Sequence, residues 1–134
     1  MDNVIKGYQD YLAEAEAVIE QVNTAQAIAL HQQGGVIFLD VRDVRELERD
    51  GMISGAYHCA RGMLEFWADP NSPYHKEVFT NPEQLLIVYC AAAWRSALAT
   101  KTLVEMGFIN AKQYVDGLTA WKEAGAPTQR KEKV

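Results

Sequence analysis

Residues 85–96 read LLIVYCAAAWRS, and this stretch decides the predicted fold. Its first five residues form a continuous apolar run, which is typical of a strand buried on both faces of a parallel sheet. Cys90 ends the run, and the alanine-rich segment after Arg95 favours a helix that Gly107 ends. A strand, a short loop and a helix in this order predict one unit of an α/β protein.

Other segments of the chain repeat this alternation of apolar runs and helical segments. We expect an α/β fold with a central parallel sheet of about five strands flanked by helices and an extra N-terminal helix packed outside. Residues 1–17 are predicted to form this N-terminal extension, residues 18–127 the domain, and residues 128–134 a polar, frayed tail. Further strands are predicted at residues 18–22, 36–39, 56–60 and 112–115, and helices at residues 8–17, 24–33, 42–49, 64–68, 95–106 and 118–124.

The length and charge of the chain exclude several classes of protein. The 134 residues suit one domain, and 13 basic against 18 acidic residues give a net charge of −5. No basic tract indicates a surface for nucleic acid or an anionic membrane, and no apolar run approaches the ~20 residues of a membrane span. The N-terminus lacks a signal-peptide pattern, so we expect a cytoplasmic protein, a monomer or a weak dimer, with reduced thiols.

Cys90 is the strongest candidate for a reactive side chain in this predicted fold, because it ends a strand and sites in open α/β sheets lie at the carboxyl ends of strands. At a junction of strand, loop and helix, backbone N–H groups and the helix dipole favour a thiolate, and Arg95 adds a positive charge. The residues therefore indicate a nucleophilic cysteine. The alternative is a buried structural cysteine that ends a strand.

Three segments in order make the chain resemble the rhodanese-like domains, a family that includes single-domain thiosulfate sulfurtransferases. The loop CAAAWRS (residues 90–96) matches the ends and the length of the family's Cys-x-x-Gly-x-Arg-[Ser/Thr] active loop. Upstream, DVRDVRELERDGMISGA (residues 40–56) is similar to its Asp-Val-Arg…Glu…Gly-x-Ile-x-Gly-Ala signature. Downstream, DGLTAW (residues 116–121) is similar to its Gly-Gly-x-x-x-Trp segment, with Asp116 for the first glycine. The resemblance covers about residues 18–125.

The resemblance implies sulfur transfer through a Cys90 persulfide. The thiolate takes the outer sulfur of a small anionic donor such as thiosulfate and passes it to an acceptor, which is cyanide in an assay and a thiol or protein in the cell. No metal or organic cofactor is required. Arg61 is expected to attract the anion, with solvation at the surface as its alternative. The expected catalytic residues are Cys90 and Arg95, and the expected substrate-binding residues are Ala91, Ala92, Ala93, Trp94, Ser96 and Arg61.

Several side chains are expected to support the site. Asp40 and Arg42 brace it through hydrogen bonds and ion pairs, and Glu46 orients one of the two arginines at positions 42 and 95 or is an exposed helix charge. His58 is a structural histidine near the site, and the three histidines show no metal-ligand spacing. The expected supporting residues are Asp40, Arg42, Glu46, Glu65 and His58.

Two other functions stay open from the sequence. Phosphatases and arsenate reductases of this fold have a longer loop than the four residues between Cys90 and Arg95, and no acid lies in the loop to protonate a leaving alcohol. The short loop therefore favours sulfur chemistry. A non-catalytic module for sulfur sensing or protein interaction is the other alternative.

An acidic protein that takes a dianion must concentrate its positive potential in residues 90–96.

Ala93 and Cys59 depart from the family pattern, and Trp94 follows Ala93 at a variable position of the loop. Ala93 replaces the loop glycine, so the loop either follows an α-like path that alanine tolerates or is strained. Trp94 is expected at the mouth of the site, where it gates the site or contacts a partner, or it packs against the loop at residues 69–73. Cys59 is predicted to be a buried core thiol, with a resolving cysteine as the alternative.

Overall fold

The computed structural model describes residues 5–131. Residues 1–4 of the predicted N-terminal extension and residues 132–134 of the predicted tail lie outside the described residues. The helices are α1 (Tyr8–Val18), α2 (Thr24–Gln33), α3 (Val44–Asp50), α4 (Leu64–Ala68), α5 (Trp94–Glu105) and α6 (Gly117–Glu123). The strands are β1 (Glu20–Val22), β2 (Ile37–Asp40), β3 (Met52–Ile53), β4 (Tyr57–His58), β5 (Leu86–Tyr89), β6 (Ala111–Tyr114) and β7 (Thr128–Gln129).

Five strands form a central parallel sheet in the order β1-β6-β5-β2-β4. In β5, Leu86 and Val88 pack into one apolar cluster, while Ile87 and Tyr89 pack into a second cluster. Because side chains alternate between the two faces of a strand, a continuous apolar run is needed to fill both clusters. The predicted α/β fold with a central parallel sheet of five strands is therefore confirmed.

Helices cover both faces of the sheet. On one face Leu64 of α4 and Leu103 of α5 are buried with Val88, and on the other Ala27 of α2 and Trp121 of α6 are buried with Ile87. Helix α1 lies outside this arrangement and packs on α5, as expected for an extra N-terminal helix. None of the helices within residues 5–131 is long and apolar enough to cross a membrane.

Helix α3 begins two residues later than the sequence predicts. Asp43 forms its N-cap, with a side-chain oxygen that accepts from the backbone N–H of Arg45 at 2.8 Å. Arg42, the predicted first residue, has its backbone N–H and its guanidinium bound to Asp40 instead. The helix starts after Arg42 because these bonds hold that residue in the turn before the cap.

The predicted frayed tail is wrong for its first two residues. Thr128 and Gln129 form β7, which pairs antiparallel with β3 at Ile53 and Met52. The side chain of Gln129 also accepts from the backbone N–H of Gly55 at 2.7 Å. An exposed strand edge offers unpaired backbone groups to any extended segment, so polar side chains do not prevent the pairing.

Candidate active site

Cys90 lies directly after β5, at the carboxyl edge of the central sheet. Its neighbour Tyr89 is in register with Asp40, the last residue of β2, so both predicted strand ends meet at this edge. Cys90 is buried, with 1% of its surface exposed. It lines a cavity of about 370 Å³ together with residues 91–95. The sequence prediction of a thiol at a junction of strand, loop and helix therefore describes its place in the fold.

The carbonyl groups of the loop after Cys90 are held by neighbouring elements. The carbonyl of Cys90 accepts from the N–H of Leu118 at 3.0 Å, and that of Ala91 accepts from the N–H of Thr119 at 3.3 Å. Both donors belong to the first turn of α6, where helical N–H groups lack partners within the helix. The start of α6 therefore fixes the direction in which these two loop carbonyls point.

Unlike the loop carbonyls, the loop N–H groups have no hydrogen-bond partners among the described residues. Within residues 5–131, no backbone or side-chain group accepts a hydrogen bond from the N–H of Ala91, Ala92 or Ala93. The loop leads directly into α5, whose N-terminus carries partial positive charge. Successive unpaired N–H groups at a helix start make an anion-binding site. The loop therefore provides backbone donors for a negative charge beside Cys90.

Gly117 allows α6 to approach the loop this closely. Its φ is +77°, and a Cβ atom there would lie 2.5 Å from the carbonyl oxygen of Ala91 and 2.6 Å from that of Ala92. Only glycine fits such a contact and such a backbone conformation. The preceding residue, Asp116, accepts from the N–H and the hydroxyl of Thr24 at 3.1 Å and 3.0 Å. Asp116, which stands in place of the first glycine of the family segment, therefore links the start of α6 to the start of α2.

A buried network connects Cys90 to Ser96 and to Gln113, a residue that the sequence analysis missed. The Cys90 thiol donates to Oγ of Ser96 at 3.4 Å, and that hydroxyl donates to the carbonyl of Ala93 at 3.2 Å. Nε2 of Gln113 donates to the same carbonyl at 2.7 Å and to Oγ of Ser96 at 2.9 Å. Gln113 lies in β6 with no motif around it, so no signal in the sequence identifies it.

Arg95 is held by Glu46. Its Nη1 and Nη2 donate to the two carboxylate oxygens of Glu46 at 2.6 Å and 3.1 Å, a bidentate pair. These hydrogen bonds hold the pKa of Glu46 below its usual value. Of the two arginines that Glu46 was predicted to orient, the structure brings it to Arg95. The pairing also places a negative charge directly beside the only arginine in the loop.

Asp40 and Arg42 form a second ion pair, which is fully buried. Nη2 of Arg42 lies 2.7 Å from the Asp40 carboxylate, and the two side chains are 1% and 0% exposed. The same Nη2 donates to the carbonyl of Gly51 at 2.7 Å, and Nε2 of His58 donates to the carbonyl of Arg42 at 2.7 Å. These contacts hold the turn after β2 against Gly51 at the end of α3 and against His58 of β4.

The structure does not bring Arg61 and Glu65 into the cavity at Cys90. Arg61 donates to Glu65 at 2.9 Å and to Oγ1 of Thr102 at 3.1 Å. Thr102 lies about two turns along α5 from Trp94, at roughly 1.5 Å per residue. Arg61 is therefore engaged on the side of α5, where Glu65 compensates its charge, and the expected contact with a bound anion has no support in this geometry.

The structure shows the backbone conformation of Ala93 and the packing of Trp94, both of which the sequence left open. Ala93 has φ −132° and ψ −24°, outside the left-handed region, so alanine in the glycine position carries no left-handed strain. Trp94 is 61% exposed, and its ring centroid lies 5.0 Å from that of Tyr8 in α1. The predicted alternative of packing against residues 69–73 is wrong, because α1 supplies the aromatic neighbour instead.

Cys59 is a core residue, as the sequence predicts. It is fully buried in the same apolar cluster as Val88 and Leu103. Burial raises the pKa of Cys59 to about 12. This thiol is therefore protonated at neutral pH and has the character of a small apolar side chain.

Comparison with known proteins supports this description of the fold. The model of the rhodanese-like domain family matches residues 23–124. Rhodanese-like domain-containing protein 17 from Arabidopsis thaliana is 28% identical in an alignment 126 residues long, and the match covers 88% of this chain and 76% of that protein.

Two solved structures are similar over almost the whole chain. A protein of unknown function from Rhodopseudomonas palustris, described as a possible tyrosine phosphatase, is 44% identical with a TM-score of 0.91, over 96% of this chain and 98% of that chain. The polysulfide-sulfur transferase homodimer from Wolinella succinogenes is 30% identical with a TM-score of 0.73, over 93% of this chain and 88% of that chain. Since the family model spans more than half of the sequence, the chain belongs to the family of rhodanese-like domains.

Proposed function

We propose that the chain is a sulfurtransferase that carries a sulfane sulfur as a persulfide on Cys90. The observation that carries this proposal is the loop after Cys90, whose carbonyls are bonded to neighbouring elements and whose N–H groups at positions 91–93 are unpaired among the described residues. A persulfide anion places its charge on the outer sulfur, and preorganised N–H donors stabilise such a charge. The sulfur transferase from Wolinella succinogenes with the same fold adds support.

The reaction proceeds in two half-reactions. The Cys90 thiolate attacks the outer sulfur of the donor, a new S–S bond forms, and the donor's own S–S bond breaks. With thiosulfate as donor, sulfite leaves with the electron pair. An acceptor nucleophile, cyanide in an assay or a thiolate in the cell, then attacks the outer sulfur, and the Cys90 thiolate leaves. This is covalent catalysis with a ping-pong scheme.

The donor is a small sulfane-sulfur compound, and thiosulfate and polysulfide are the two candidates. Thiosulfate follows from the resemblance of the active loop to that of thiosulfate sulfurtransferases. Polysulfide follows from the named activity of the Wolinella succinogenes relative. The bidentate pairing of Arg95 with Glu46 lowers the net positive charge offered to either anion, so side-chain charge does not separate the two donors.

Intact-protein mass measurement tests the proposal. The protein is incubated separately with thiosulfate and with polysulfide, freed of excess donor, and weighed. We expect a gain of about 32 Da, the mass of one sulfur atom, that is lost when cyanide is added with release of thiocyanate. Cys90→Ser is expected to form no adduct. Cys59→Ala is the matched control, since it removes the other cysteine and leaves the adduct in place.

A protein that gains no sulfur from either donor, and releases no thiocyanate with cyanide, is not a sulfurtransferase of this kind. That result would favour a module for protein interaction. An adduct that survives in Cys90→Ser but not in Cys59→Ala would place the chemistry on the wrong cysteine. Either outcome contradicts the proposal.

Phosphatase activity is the second candidate, favoured by the name of the Rhodopseudomonas palustris relative. The cavity at Cys90 is lined by residues 90–95, none of them an acid, and Glu46 is bound to Arg95. Among the described residues, this cavity therefore has no carboxyl group in its lining to protonate a leaving alcohol. Hydrolysis of p-nitrophenyl phosphate that requires Cys90 and exceeds the rate of sulfur transfer would establish this function in place of the first.

A further inference from the structure

Gln113 connects β6 to the loop of Cys90 through a side-chain carboxamide whose donors and acceptor are all hydrogen-bonded. Its side chain is buried, with 1% exposed. Its Nε2 donates to the carbonyl of Ala93 and to Oγ of Ser96, while its Oε1 accepts from Nε2 of Gln21 at 2.8 Å. Both amide hydrogens and the carbonyl oxygen have partners, so the orientation of the carboxamide is fixed.

The Ser96 hydroxyl has one proton and two groups that can receive it. With Cys90 protonated, the thiol donates to Oγ of Ser96 at 3.4 Å, and the hydroxyl donates to the carbonyl of Ala93 at 3.2 Å. When the thiol loses its proton to water, the sulfur can only accept a hydrogen bond. The hydroxyl proton then turns from the Ala93 carbonyl to the sulfur, and no heavy atom has to move far.

Gln113 favours this rotation of the Ser96 hydroxyl both at the carbonyl that the proton leaves and at the oxygen that carries it. The Ala93 carbonyl keeps the hydrogen bonds from Gln113 and from the N–H of Ala97 at 3.2 Å, so it is not left unsatisfied when the hydroxyl leaves it. The second amide hydrogen of Gln113 occupies a lone pair of Ser96 Oγ, which directs the hydroxyl proton towards the remaining acceptor, the sulfur.

We infer that Gln113 is a positioning residue that holds the Ser96 hydroxyl ready to donate to the Cys90 thiolate. The inference rests on Cys90 being the nucleophile of the proposed function. In that function the same hydroxyl donates to the negative charge that returns to the Cys90 sulfur when the acceptor takes the outer sulfur of the persulfide. The effect of Gln113 on the sulfur passes through Ser96.

The test is the pH dependence of Cys90 alkylation by iodoacetamide, measured by mass in a Cys59→Ala background so that one cysteine remains. Gln113→Met keeps a side chain of similar length and removes the two N–H donors. Below the midpoint of the pH profile we expect its alkylation rate to fall about three- to tenfold, with the high-pH plateau unchanged. In a Ser96→Ala background we expect the same substitution to have no further effect.

Two results would overturn the inference. One is a Gln113→Met profile that coincides with that of the parent protein. The other is an equal loss in the presence and in the absence of the Ser96 hydroxyl, which indicates that Gln113 only supports the loop. Circular dichroism shows whether Gln113→Met folds.

A measurement on the unsubstituted carboxamide decides the matter if that variant does not fold. The side-chain amide resonances of Gln113 are expected to shift with the same pH midpoint as the alkylation of Cys90, and resonances that do not move overturn the inference. Neither measurement uses a sulfur donor. A failure of sulfur transfer and a failure of this inference are therefore distinguishable.

Discussion

Gly117→Ala is expected to damage the active loop more than the fold. The added Cβ would lie 2.5 Å and 2.6 Å from the carbonyl oxygens of Ala91 and Ala92, well inside van der Waals contact. Relief of this clash requires α6 and the loop to separate, which breaks the bonds from Leu118 and Thr119 to the loop carbonyls. Alanine at φ +77° adds about 1–2 kcal/mol, and each lost hydrogen bond about 0.5–1.5 kcal/mol.

The total predicted cost of Gly117→Ala is about 2–5 kcal/mol in the free energy of unfolding, measured by urea denaturation. Gly55→Ala is the matched control, because Gly55 has φ +81° but no atom within 4 Å of the position of an added Cβ. It therefore reports the backbone conformation alone, about 1–2 kcal/mol. The difference between the two variants measures the clash with the loop.

The reactivity of Cys90 is the second part of this prediction. A displacement of the loop by about 1 Å moves the N–H donors away from the sulfur, and we expect persulfide formation in Gly117→Ala to slow by about 10- to 100-fold. Gly55→Ala is expected to react at the parent rate. If both variants lose the same stability and both keep the parent rate, the contact between α6 and the loop does not position the site.

Three other variants test the two ion pairs and the exposed Trp94 at the cavity of Cys90. Asp40→Asn leaves the buried Arg42 without a negatively charged partner, and urea denaturation should show a loss of about 3–5 kcal/mol, whereas a loss below about 1 kcal/mol would contradict a buried ion pair. Glu46→Gln removes the charge beside Arg95, so persulfide formation from thiosulfate should rise about two- to fivefold at low salt and much less at high salt; an unchanged rate at both would contradict it. Because Arg95 lowers the pKa of Glu46, the stability that this pair adds is present above about pH 4.3 and is lost as the pH falls through the lowered value, so the difference in unfolding free energy between the parent and Glu46→Gln should shrink as the pH falls. Trp94→Ala should change the ratio of rates with thiosulfate and polysulfide more than the unfolding free energy, and steady-state and denaturation measurements showing the reverse would make Trp94 a packing residue.

The place of Cys90 could be predicted because it depends on local sequence. The apolar run that ends at Cys90 has to fill two clusters, and such a run predicts a central strand wherever it occurs. Asp40 follows a similar run in β2, and parallel strands bring both carboxyl ends to one edge.

Gln113 could not be predicted, because its function depends on the register between two strands. The segment Ala111–Tyr114 alternates weakly, and nothing in it distinguishes a buried amide from an exposed one. Pairing with β5 sets Gln113 opposite Val88 and thereby places its amide beside the loop. The contact between Trp94 and Tyr8 depends in the same way on how α1 docks on α5, which the sequence of either helix does not specify.

The positive potential at the site comes from backbone dipoles more than from side-chain charge. Arg95 is paired with Glu46 and Arg42 with Asp40, so the two arginines nearest the loop are each matched by a carboxylate. Among the described residues that line the cavity at Cys90, what remains are the loop N–H groups and the N-terminus of α5, whose field falls off within about one helical turn. Such a field attracts a distant dianion only weakly in a protein of net charge −5, but it acts fully on a charge that forms on the Cys90 sulfur. The loop is therefore arranged to stabilise a negative charge on the Cys90 sulfur, and under the proposed function we expect donor recognition to depend on fit within the cavity more than on long-range attraction.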